Sequence, residues 1–493
     1  MLRASSLLCV LLAWLTVACD DSGDPADNDA RPTADAGLLD AAQADATPTD
    51  AAERDVRIPD AAEPAEPDAA QPDAAEPDAA DPDAAPPDPP VDAPTDVIID
   101  VPLTGPYGER ILVVPAATHW ANTGLYLRAG ETATITARGR WSAEGTSVGP
   151  RGDDRLGEER GCPKGSLAAR SGLRFEDAIT CIGVNGEHIA PRDGIVYVGM
   201  VWSTDLGDAY GSRLALEGQV EVTIRSTGAT APMVRMADLP DLDLDAIESG
   251  VLELVGDHVV VAVTTADIQR DAATAEAAIA TLDAIWEDER FLRGRAPFRE
   301  ERVRFVEDET IIDFAYMLSS NPVRCVPDLL HGNNNQRILR AAEPMTDVWG
   351  FAHELGHAFS FANGTWVFQY NNIEVFPNIF TLHALDTLGR RQNQPNFNSY
   401  CDGREAYLAD GTYEEFKADP FLELCFLMDF TATFGWSFWQ TFYAGIDETD
   451  NAEIPIGGDP EHANTWGFLR DRFSQAAGED VTPIFDAWRV PLP

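Results

Sequence analysis

His353-Glu354-Leu355-Gly356-His357, with Glu374 downstream, is the stretch that decides how the C-terminal half of this 493-residue chain is read. Residues four apart on a helix share a face, so His353 and His357 can aim two imidazoles at one ion. A catalytic zinc takes about three protein ligands and keeps a fourth position for water. Glu374 supplies the third ligand in this reading. Glu354, beside that water, is the general base. The pattern predicts a zinc metallopeptidase site.

The flanks support a helix around the motif. Val348, Phe351, Leu355 and Phe359 recur at helical spacing, which predicts a core-packed helix over Val348 to Phe361 and a rigid seat for a metal. Asn378 lies four residues after Glu374, on the same helical face, where its amide can hydrogen-bond a ligand histidine and fix the tautomer. Pro377 between them predicts a helix that starts close to Glu374, because proline is tolerated in the first turn.

The N-terminus reads as an export signal. An apolar run from Leu7 to Ala18 follows Arg3 and is too short to span a membrane. Cys19 follows Leu15-Thr16-Val17-Ala18, which resembles a bacterial lipoprotein signal and implies lipidation of Cys19. Thr16 stands where that signal usually has leucine. The expectation is a chain anchored by lipid at the bacterial surface, on the outer membrane, or else secreted. Export permits disulfides. Cys162 with Cys181 forms a plausible bridge, and Cys325, Cys401 and Cys425 are odd in number, so one of them is free or pairs outside the chain.

Net charge is −48, and residues 20–100 alone hold 24 acidic and 3 basic side chains. No basic surface suited to nucleic acid is evident. Residues 20–103 repeat the phrase Pro-Asp-Ala-Ala, as at 72–75 and 77–80, and lack aromatics. That composition cannot build a core and predicts a disordered acidic stalk after the signal at 1–19.

Residues 104–228 read as an all-β sandwich, with strands expected at 125–127, 132–137, 194–202 and 214–224 between glycine-rich turns. Ser226 to Pro232 reads as a linker. Residues 233–493 read as an α+β domain: a strand pair over 251–264 broken at Gly256-Asp257, a helix over 266–291, a strand at 303–306, the motif helix, and a long apolar helical region over 421–443 broken at Gly435. Glu423, Asp429 and Gln440 mark that last region as buried core and not a membrane span.

The full segment Trp349-Gly350-Phe351-Ala352-His353-Glu354-Leu355-Gly356-His357, then Trp366, Glu374-Val375 and Asn378-Ile379-Phe380, resembles the enhancin-like and mucinase zinc metallopeptidases, peptidase family M60, of the gluzincin type. Gly435-Trp436 and the stretch Ala477 to Trp488 are similar to further elements of that family. The resemblance covers about 233–493. It implies His353, His357 and Glu374 as zinc ligands, Glu354 as general base and glycoprotein substrates, mucin-like O-glycosylated ones included. Where the family has Gly-Tyr-Pro, this chain has Ser320-Asn321-Pro322. Asn321 thus replaces a tyrosine, and Tyr316, Asn321 and Trp366 are the candidate substrate-pocket residues. His331 and His383 are candidate oxyanion donors.

Gly149 to Asp153, Cys162, Trp141 and Asp205 to Gly211 resemble the PA-I-type galactophilic lectins, which implies a galactose-binding-like domain. That family binds sugar through calcium. Asp205 matches its calcium aspartate, but most other ligand positions differ, so Asp205, Asp208 and Glu144 form a candidate calcium or glycan site of altered composition. The combined expectation is a surface-tethered glycoprotein endopeptidase. The alternatives are a peptidase of non-glycosylated protein, and a glycan-binding adhesin carrying an inactive peptidase fold.

Overall fold

A computed structural model describes residues 105–493 apart from 144, 203–215, 295–301, 313–314, 333–335, 361–371, 392–398 and 450–462. The N-terminal signal, Cys19 and the stalk lie outside the described residues, as do Glu144, Asp205, Asp208 and Trp366.

The first domain contains β1 (Pro106–Pro115), β2 (Ala121–Leu127), β3 (Thr132–Ala143), β4 (Thr146–Val148), β5 (Glu158–Glu159), β6 (Cys162–Pro163), β7 (Leu167–Ser171), β8 (Thr180–Cys181), β9 (Asn185–Ile189), β10 (Gly194–Met200) and β11 (Leu216–Thr230). All but β5 and β6 join one antiparallel sheet in the order β4-β3-β11-β2-β10-β7-β8, with β1 on β11 and β9 on β3. β11 pairs with β1 and β3 along most of its length, then with β2 through Ala229 and Thr230. This handover curls the sheet around one core, giving the all-β domain expected. Leu125, Leu127, Ile135, Val196, Val198, Val222 and Ile224 fill the interior. The handover also places residues 226–230 in a strand where the sequence suggested a linker.

The second domain opens with β12 (Met233–Arg235), β13 (Val251–Val255), β14 (Val259–Thr264), α1 (Thr265–Asp271), α2 (Ala275–Arg293), β15 (Val303–Glu307), β16 (Met317–Leu318) and β17 (Val323–Cys325). Its six strands form a mixed sheet in the order β12-β13-β14-β15-β17-β16. The helices α3 (Pro327–Leu330), α4 (Trp349–Ser360), α5 (Asn372–Thr387), α6 (Arg404–Asp410), α7 (Tyr413–Ala418), α8 (Pro420–Phe434), α9 (Ser437–Asp447), α10 (Ala463–Ala477) and α11 (Thr482–Ala487) complete an α/β domain.

The helix expected over 266–291 is two helices. Thr274 Oγ1 lies 3.0 Å from Asp271 O and 2.8 Å from Leu339 O, sharing its one proton between them, so a contact distant in sequence holds the turn between α1 and α2. The apolar region over 421–443 divides at Gly435, whose φ of 78° is the left-handed conformation that glycine adopts without strain. Among the described residues no helix is long and apolar enough to cross a membrane.

The two domains share a buried junction. β7 and β10 are buried along almost their whole lengths, because one face lines the curled interior and the other meets the second sheet. Trp120, Leu173, Ile195, Tyr197 and Val201 pack there with Val306 of β15. Glu253 of β13, fully buried, accepts hydrogen bonds from Asn122 Nδ2 at 2.9 Å, Tyr197 OH at 2.7 Å and Arg304 Nε at 2.8 Å. Every partner that makes this buried carboxylate tolerable therefore comes from β2, β10 or β15.

Disulfides join Cys162 to Cys181 and Cys401 to Cys425. Cys325 is a free thiol, fully buried.

Candidate metal centre

α4 begins where Asp347 Oδ1 accepts the Trp349 amide at 3.0 Å, and every residue from Phe351 to Ser360 is buried. Phe351 packs edge-on against Phe305 of β15, with ring centroids 6.0 Å apart, which seats the helix on the sheet. Its neighbour α5 approaches closely at Gly356. A side chain there would meet the Pro377 carbonyl at 2.7 Å, so only glycine lets the two helices come this near. The described part of α5 runs from Asn372, close to Glu374, and carries Pro377 inside the helix.

This approach brings the three expected ligands together. Glu374 Oε2 lies 3.1 Å from His353 Nε2 and 3.3 Å from His357 Nε2. All three ligand atoms fall within 4.8 Å of one another. Zinc bonds of about 2.0–2.2 Å at tetrahedral angles separate neighbouring ligand atoms by about 3.3–3.6 Å. Two imidazoles and a carboxylate at these spacings fit zinc, and three protein ligands leave a position for water.

His353 Nδ1 faces Asn378 Oδ1 at 2.9 Å. An amide oxygen only accepts, so Nδ1 carries the proton and the Nε2 lone pair is left for the metal. Asn378 Nδ2 donates to Glu374 O at 2.9 Å, tying the same amide to its own helix. Glu354 is 8 % exposed, and Ser319, just after β16, donates to its backbone carbonyl at 2.9 Å. Burial raises the Glu354 carboxyl from its ordinary value; His357 and His353 pull it down, and Glu374 adds to the rise.

Other sequence candidates are placed differently. Asn321 is buried, with Oδ1 accepting from Arg304 N at 3.1 Å and Nδ2 donating to Arg302 O at 3.0 Å. It pins the backbone entering β15. Tyr316 is half exposed and hydrogen-bonds Gln336. His331 is held between Asp267 at 2.6 Å and Glu307 at 2.7 Å, and His383 pairs with Asp288 at 2.6 Å. Both imidazoles are thus engaged by carboxylates. Trp349 is a residue whose role the sequence reading missed: its Nε1 donates to Asn378 Oδ1 at 2.9 Å. Its position one helical turn before His353 was the available signal.

Residues 241–489 match the family model for peptidase M60, enhancin and enhancin-like. The chain belongs to peptidase family M60. No curated protein matches the chain by sequence. Solved structures similar to this M60 chain include a functionally unknown conserved protein from Bacillus anthracis str. Ames, with a TM-score of 0.56 and 16 % identity over 78 % of this chain and 76 % of that one. The ZmpB metallopeptidase from Clostridium perfringens gives a TM-score of 0.51 and 15 % identity, over 79 % of this chain and 74 % of that one. IMPa from Pseudomonas aeruginosa, solved with an O-glycopeptide, gives 0.48 and 17 %, over 80 % and 50 %. The M60 segment is about half of the chain, so the first two likenesses run into the β-domain. At such identity they describe a shared fold.

Proposed function

We propose that this M60 protein is an exported, zinc-dependent endopeptidase of the gluzincin type that cleaves glycoproteins. The carrying observation is the convergence of His353, His357 and Glu374 with Glu354 beside them on α4. Bound zinc would supply Lewis acidity, lowering the pKa of its water and polarising the scissile carbonyl. Glu354 takes the water proton and delivers it to the leaving amine. His353 and His357 hold their positions because α4 is buried on the sheet. β16 ends the six-stranded sheet next to this helix, so an extended peptide can add to its edge beside the site.

The glycoprotein class comes from the resemblance to the mucinase group, and the β-domain is assigned carbohydrate contact on its lectin resemblance. Buried pairing at the junction would hold such a sugar site at a fixed place relative to the peptidase centre. Lipid anchoring at Cys19 and a surface location follow from the signal-like N-terminus. Two disulfides suit that oxidising setting.

The test is cleavage of a mucin before and after enzymatic deglycosylation, on protein of measured zinc content. Cleavage lost on deglycosylation supports the proposal. Unchanged or faster cleavage makes the protein a peptidase of plain polypeptide. Absence of zinc and of cleavage points to a binding protein with an inactive peptidase fold.

A further inference from the structure

We propose that Trp349 is a positioning residue for the metal centre, acting through Asn378 to fix the tautomer of His353; this rests on the zinc reading above. A carboxamide has two ends of nearly equal size. Presented the wrong way round, Asn378 would offer a donor to His353 Nδ1, put the imidazole proton on Nε2 and remove the lone pair needed by the metal.

Two contacts prevent that reversal. The Trp349 indole nitrogen, a group that only donates, meets Oδ1 at 2.9 Å. The Glu374 carbonyl, a group that only accepts, meets Nδ2 at 2.9 Å. Reversal would set donor against donor and acceptor against acceptor at the same time. Oδ1 therefore faces both Trp349 and His353, and one oxygen serves two N–H groups.

The helix geometry supplies the reason for a tryptophan. Trp349 and His353 are four residues apart on α4, with ring centroids 5.1 Å apart, so both reach the same atom on α5. An aspartate at 378 would accept at either oxygen and would need no such orienting donor. The asparagine spares the site a second carboxylate beside Glu374 and makes its orientation depend on the indole together with the Glu374 carbonyl.

The experiment is a double-mutant cycle read as zinc affinity, by competition with a chromogenic chelator, in wild type, Trp349→Phe, Asn378→Asp and the pair. Circular dichroism and thermal unfolding confirm that each folds. Trp349→Phe keeps a ring against His353 and removes only the N–H. We expect it to weaken zinc binding about 10- to 100-fold, the usual cost of losing a group behind a ligand histidine. In the Asn378→Asp background the same change should cost several-fold less. Wild-type affinity in Trp349→Phe overturns the proposal while leaving the zinc site standing. An equal loss in both backgrounds also overturns it, because it reports packing alone. Wild-type protein that binds no zinc overturns the metal reading itself. If the aspartate variant does not fold, Trp349→Phe against Trp349→Leu decides: both must lose affinity by a similar factor, and a loss confined to leucine overturns the role of the N–H.

Discussion

Arg304 and Glu253 form an ion pair at 2.8 Å in which the guanidinium side chain is 6 % exposed and the carboxylate fully buried. The pair lies where the curled sheet meets the six-stranded sheet, and Asn122 and Tyr197 of the β-domain complete it. Truncating one partner of such a pair leaves a buried charge uncompensated, at about 3–5 kcal/mol. Arg304→Met should destabilise the whole chain by that order, and Tyr197→Phe by about 1–3 kcal/mol. Calorimetry should show the two domains unfolding in one transition. Separate transitions for the β-domain and the peptidase domain would contradict the junction described above.

His331 gives a pH-dependent prediction. Burial would lower its pKa, but hydrogen bonds and charge from Asp267 and Glu307 outweigh that and push it up to about 9. A raised folded-state value means that the stabilisation is complete below the unfolded value near 6.5 and is lost as pH rises through about 9. The effect is on the order of 3 kcal/mol, and the side chain is 25 % exposed. His331→Gln should therefore lower stability clearly at pH 6 and little at pH 10. Urea unfolding at both pH values checks this, and an equal loss at both refutes it.

Asn321 separates a structural role from a specificity role. Its amide is engaged by the backbone of Arg304 and Arg302. Asn321→Ala should cost about 1–3 kcal/mol of stability, the typical result of leaving buried backbone groups without partners. The ratio of kcat/KM between two peptide substrates should stay at the wild-type value. A variant of unchanged stability and altered preference would assign Asn321 to the pocket.

Much of the centre was legible because its chemistry is periodic. His353 and His357 are four apart, as are Glu374 and Asn378, and each pair lies on one helix. The contact between Trp349 and Asn378 was not legible, because it crosses from α4 to α5 and depends on the close approach at Gly356. The backbone contacts of Asn321 were hidden for a related reason: its partners, Arg302 and Arg304, lie at the entry to β15 and not beside it in sequence. The break between α1 and α2 falls in alanine-rich sequence with strong helix propensity, and the Leu339 carbonyl that holds the turn is remote in the chain. In the β-domain, the apolar run Gly194–Met200 read as a strand, and the structure buries it on both faces. It carried no information that the second face meets the peptidase sheet.

The most direct test of the central claim is Glu354→Gln, with zinc content and peptide cleavage measured on the same preparation. Glutamine keeps the shape of the side chain but cannot take a proton from water. If Glu354 is the general base, the variant folds as wild type, both proteins hold about one zinc per chain, and cleavage falls by about 10²–10⁴-fold or more in the variant. Cleavage at the wild-type rate by zinc-loaded Glu354→Gln would contradict it.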